Sequence, residues 1–193
     1  MKKNHMEILF VLGFALGVAL PNFLWKTELE SNGLPGLYLL TRVSKGMPAN
    51  PEYFIYVMKT RGAVYALCML CGLSVFGLPV SVAASVWMGF LMGATLTVAL
   101  LEFGVEGMFL AGVLFFPQYL LYVPASLALY RRSFQSSLRC WKNQRGSAQE
   151  KREYGFFCVC IGALLVAGMF LESYVNPPLI EKVLDELHFF PGM

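Results

Sequence analysis

Residues 108–130 read MFLAGVLFFPQYLLYVPASLALY, 23 residues without a charge, and Arg131 and Arg132 follow at once. A helix needs about 20 apolar residues to cross a hydrocarbon layer roughly 30 Å thick, so this run is long enough to span a membrane. It also carries Pro117-Gln118 and Pro124. Each proline lacks an N–H, which leaves the carbonyls of Val113 and Leu120 without helical donors. The seven-residue spacing places both defects on nearly one helix face. Lipid offers no replacement donors. The run therefore reads as a single curved helix whose strained side is covered by protein.

The rest of the chain has the same character. Of its 193 residues 57% are hydrophobic and 14% charged, against roughly 45–50% apolar in a soluble domain. Charge-free stretches at approximately 8–25, 62–78, 80–101, 108–130 and 155–171 give five candidate spans, the last continuing past Glu172 to about 175. Lysine and arginine collect between residues 131 and 154, as Arg131, Arg132, Arg139, Lys142, Arg145, Lys151 and Arg152. That places a basic loop in the cytoplasm, and counting spans from it puts Lys2 and Lys3 inside and the carboxy terminus outside. The net charge of +3 is then a topology signal facing anionic headgroups and gives no case for nucleic acid. Lys2, Lys3 and the apolar run behind them could open a secretory signal, with Gly17-Val18-Ala19 imitating a cleavage site. The run is longer than an ordinary signal core, so it reads as an uncleaved anchor. The fold expected is all-α: one integral membrane domain over 1–193, a bundle of five transmembrane helices with a proline-kinked fourth helix, N-in/C-out.

Between spans one and two, residues 26–61 form the one sizeable exterior segment. Asn50-Pro51 within it reads as a helix cap and first turn, and a helix from Pro51 could run unbroken to Gly77-Leu78-Pro79, where glycine and proline stop it. Residues 102–107 form a short outer turn with Glu102 and Glu106 as solvated caps. Gly13 and Gly17, and Gly89 and Gly93, each lie four residues apart and make smooth faces on which helices can approach closely, within the chain or in a homodimer. After Pro177-Pro178, the residues Ile180, Val183, Leu184 and Leu187 form one stripe of a short exterior amphipathic helix over 178–189. Such a helix lies on the headgroups or docks a partner.

The chain holds little catalytic material. Its histidines, His5 and His188, and its one aspartate, Asp185, lie outside the spans, which excludes histidine-based, zinc and paired-aspartate proteolysis inside the membrane. Cys68-Met69-Leu70-Cys71 could exchange disulfides with a quinone. No exterior cysteine is there to relay the electrons, and two packing residues is the simpler reading. Cys158 and Cys160 read the same way. Gln118, Thr95 and Thr97 are thin material for an ion path, and Glu172 reads as a surface carboxylate near the interface. A small transporter or lipid-moving protein stays open as an alternative and predicts a cavity beside Gln118 or Glu172.

Phe76-Gly77-Leu78-Pro79, Gly89-Phe90-Leu91-Met92-Gly93, Phe116-Pro117-Gln118, Val123-Pro124-Ala125 and Leu171-Glu172-Ser173-Tyr174-Val175-Asn176-Pro177, in that order and spacing, resemble the stage II sporulation protein M family over most of the chain. The resemblance implies a non-enzymatic membrane scaffold of endospore-forming bacteria, without cofactor or metal. It would sit in the cell membrane and, during engulfment, at the septum, with the stage II sporulation proteins D and P, which cut septal peptidoglycan. The residues expected to shape and pack the bundle are Pro117, Gln118, Pro124, Gly89 and Gly93; those expected to meet a partner are Ile180, Val183, Leu184 and Leu187.

Overall fold

The computed structural model describes residues 5–24, 51–116, 118–142 and 147–179. Five helical elements run through them: α1 (His5–Leu24), α2 (Pro51–Cys71), α3 (Gly77–Phe115), α4 (Gln118–Trp141) and α5 (Ala148–Leu179). The chain is all-α, and four of its helices are long and apolar enough to cross a membrane. The count becomes five if the bent pair Gly107–Val113 and Gln118–Trp141 is one span. It is a polytopic membrane protein. Residues 26–50, Pro117 and the predicted carboxy-terminal helix beyond Leu179, with Ile180, Val183, Leu184 and Leu187, lie outside the described residues.

Three expectations need correction. The run 108–130 is not one curved helix, because α3 ends at Phe115 and the chain bends by 65° before α4. Phe116 has φ −89° and ψ 138°, the extended conformation imposed on a residue that precedes proline. Pro124, by contrast, lies within a continuous α4. Secondly, the helix from Pro51 does not run to Leu78 but ends at Cys71, and Gly77 opens α3. Pro79 then sits in the first turn, where its missing N–H costs nothing. Thirdly, the basic segment 131–154 is mostly helix: α4 continues to Trp141 and α5 starts at Ala148. The buried positions of α4, Gln118, Tyr122, Ala125, Ser126, Leu129, Tyr130, Ser133 and Ser137, follow one helical stripe past Arg131 and Arg132. Packing on that stripe carries the helix beyond the apolar run.

The turn between α2 and α3 shows why α2 can stop early. A helix end leaves its last four carbonyls without donors, and here each finds one. Cys68 O accepts from Gly72 N at 3.1 Å and from Ser133 Oγ at 2.9 Å; Met69 O accepts from the Tyr154 hydroxyl at 2.9 Å. Leu70 O accepts from Leu73 N at 3.1 Å, and Cys71 O from Ser74 N at 2.9 Å. Ser137 Oγ then donates to Ser74 O at 2.6 Å. A side chain at Gly72 would collide with Tyr154 and Ser133, so the stop depends on glycine there. Ser133→Ala and Ser137→Ala are each expected to cost about 0.5–1.5 kcal/mol, the net worth of one hydrogen bond, because Cys68 O keeps its bond from Gly72 N and Ser74 O keeps one from Gly77 N. Equilibrium unfolding of the detergent-solubilised protein measures it.

Among the described residues the most extensive packing joins α1 to α3. Gly13 and Gly17 lie against the backbone of Val86, Phe90 and Ala94, while Gly89 and Gly93 lie against the backbone of Phe10, Phe14 and Val18. The two pairs of glycines use each other's helix as their contact surface within one chain. Ser85 Oγ adds a hydrogen bond to Met6 O at 2.9 Å. Further along α3, Gly104 has φ 63° and ψ −144° and interrupts the helix. Positive φ with extended ψ is open essentially to glycine alone, so this residue kinks α3 within the stretch 102–107, where a turn was expected. The remaining core is built from Tyr65 and Cys68 on α2, Tyr122 and Leu129 on α4, and Ile161, Leu165 and Met169 on α5.

Candidate functional site

Among the described residues, two short π-helical turns interrupt the bundle, Met58–Gly62 in α2 and Leu171–Val175 in α5. Such turns make up well under about 1% of residues and gather at functional sites. In α2 the hydroxyl of Thr60 donates to the carbonyls of Tyr56 (2.8 Å) and Val57 (3.3 Å), which supplies donors where the widened turn loosens the ladder. One inserted residue turns the following helix face by about 100°. Each π turn carries one member of a salt bridge: Arg61 Nη2 lies 2.9 Å from Glu172 Oε1.

The carboxylate is engaged at both oxygens, because the Tyr122 hydroxyl donates to Glu172 Oε2 at 2.8 Å. The guanidinium also lies over two rings of α4, 5.3 Å from the centre of Tyr122 and 5.9 Å from that of Tyr119. Attraction of a cation to ring faces adds to the pairing. Four side chains from α2, α4 and α5 thus form one cluster. Arg61 stands ten residues from either end of α2, and Glu172 follows the apolar run of α5. An ionisable group at such a position is costly in lipid unless paired, and this pairing meets the cost.

The cluster forms part of the wall of a cavity of about 530 Å³ between α2, α3, α4 and α5. Gln118 and Asn176, both buried, share that wall with Thr60, Thr95, Tyr119 and Trp87. The reading of Glu172 as a surface carboxylate is corrected: its side chain is 8% exposed. Arg61, the last residue of the segment 26–61, stands at the middle of α2 and lines this cavity. Complementary charges bordering the apolar runs of two helices were the available signal.

Other sequence-derived candidates serve the packing of their own helices. Gly89 and Gly93 lie in the α1–α3 interface, and Pro124 within α4. Thr97 Oγ1 bonds back to Gly93 O at 2.9 Å and Thr95 Oγ1 to Leu91 O at 2.8 Å, so both hydroxyls serve their own helix. Cys68 is a free thiol packed in the core, and Cys71 is also unpaired. Among the described residues no three of His, Cys, Asp and Glu converge on a metal-sized site.

No curated protein and no solved structure shows significant similarity to the chain. A family model described as stage II sporulation protein M matches residues 6–177, which takes in α1, the glycine-packed α3, and both partners of the Arg61–Glu172 ion pair. The chain belongs to the stage II sporulation protein M family.

Proposed function

We propose that the chain is a non-enzymatic membrane scaffold that recruits and organises peptidoglycan-degrading enzymes at the sporulation septum during engulfment, in a complex with stage II sporulation proteins D and P. The family match over residues 6–177 carries this reading. Support also comes from the way polar side chains are used: Ser85, Ser133, Ser137, Tyr154 and the Arg61–Glu172 pair tie helix to helix. In this reading the chain runs N-in/C-out, the basic end of α4 faces the cytoplasm, and Ile180, Val183, Leu184 and Leu187 offer an exterior docking stripe.

Affinity purification of the full chain from sporulating cells in mild detergent is expected to bring down both partners, and deleting the chain to scatter them from the septum. Normal septal placement of the two partners without the chain would overturn the scaffold. The cavity at Arg61 and Glu172 favours a second reading, a small transporter or lipid-moving protein. That reading predicts the opposite result in the deletion strain, with the hydrolases in place and engulfment impaired.

A further inference from the structure

The cavity between α2, α3, α4 and α5 presents its two charges unequally. The Glu172 side chain is 8% exposed and held at both oxygens, whereas that of Arg61 is 37% exposed. The charge offered to a ligand is therefore the guanidinium. It has five N–H donors, and its contact with Glu172 is made through Nη2, so donors remain for a second oxyanion. Phosphate fits the guanidinium fork better than any other common membrane headgroup, because two of its oxygens can be met at once. Glu172 opposes such a group little, since Arg61 offsets its charge and the Tyr122 hydroxyl occupies its second oxygen.

The mouth of the cavity shows where a ligand comes from. Tyr56, Val64, Trp87 and Leu91 line it and are also among the exposed large apolar side chains, Trp87 at 60% and Leu91 at 44%. In a polytopic membrane protein these side chains face lipid, so an amphiphile can enter sideways without crossing water. Rings at the mouth and a cation within match a molecule with a hydrocarbon body and one anionic end. The volume of about 530 Å³ falls among small-molecule sites, which run from about 300 to 1,000 Å³.

We propose that this cavity binds a phosphate-bearing lipid, with its phosphate on the N–H groups of Arg61 and its hydrocarbon along Trp87, Met88 and Leu91. Such binding is independent of hydrolase recruitment and requires no transport. Native mass spectrometry of the full chain tests it, with the protein released from detergent micelles supplemented with phosphatidylglycerol, a polyprenyl monophosphate or diacylglycerol. One phosphate-bearing lipid is expected to stay on each chain under activation that strips diacylglycerol, and which of the two stays identifies the source. The double change Arg61→Gln/Glu172→Gln leaves no unpaired buried charge and is expected to lower retention at least about tenfold, as loss of a charge-assisted hydrogen bond implies. Ala84→Phe, which narrows the cavity and keeps the ion pair, is expected to lower it as well. Equal retention of diacylglycerol, or no lipid retained, overturns the site. So does phosphate-lipid retention that Ala84→Phe leaves unchanged, since lipid held at the basic surface of Arg132 and Arg139 would survive that change.

Discussion

Replacing Arg61 by methionine is expected to destabilise the folded protein by about 3–5 kcal/mol, the usual cost of stripping a buried carboxylate of its counter-charge. Glu172 would keep the Tyr122 hydroxyl but no counter-charge among the described residues, with 8% of its side chain exposed. Glu172→Gln is expected to cost less. The remaining guanidinium is 37% exposed and still lies over Tyr119 and Tyr122. Combining Arg61→Met with Glu172→Gln should recover most of the loss of the arginine variant, because neither charge is then stranded. The three variants and the parent form a double-mutant cycle, and a coupling of about 2 kcal/mol or more is expected for residues in one network. Unfolding in mixed micelles with rising denaturing detergent measures each value. Additive single effects would mean that the pair does not act as a unit.

Enlarging the glycines between α1 and α3 is expected to have the other large effect. A β-carbon at Gly17 would lie 2.9 Å from Ala94 N, and one at Gly89 would lie 2.9 Å from Phe14 N, with carbonyl oxygens closer still. Both contacts are with backbone, which cannot rotate away as a side chain can. Gly89→Leu should therefore separate the helices and break the Ser85–Met6 hydrogen bond, at a cost of about 1–3 kcal/mol or more. Gly112→Leu is the control: a β-carbon there meets nothing within 4 Å, and stability should change little. A cysteine pair placed across α1 and α3 reports the separation directly. Its oxidation is expected to be rapid in the parent background and slow in Gly89→Leu. Equal rates would show that the glycines are not what lets the helices meet.

Much of this architecture was legible along the chain. Charge-free runs located the apolar helices, Asn50-Pro51 marked the start of α2, and the four-residue glycine spacing marked faces that pack closely. Each of these signals is local, so a window of sequence contains it. The misreadings have a common origin as well. The end of α2 was placed at Gly77 because Gly-Leu-Pro is a strong stop, yet Gly72 ends the helix, since Ser133 and Tyr154 meet its open carbonyls. The extension of α4 to Trp141 was missed because its buried stripe continues as Ser133 and Ser137. Small polar residues carry no apolar period.

Composition and order along the chain by themselves determined that this is an all-α membrane protein of the stage II sporulation protein M family, because hydropathy and motif order are properties of single segments. Tertiary structure alone decided that Arg61 and Glu172 meet inside the bundle. It also decided that the glycine faces are used between α1 and α3, and that a cavity opens beside the ion pair. The physical reason is that the cost of a buried charge depends on what lies across from it, and the partner sits on another helix.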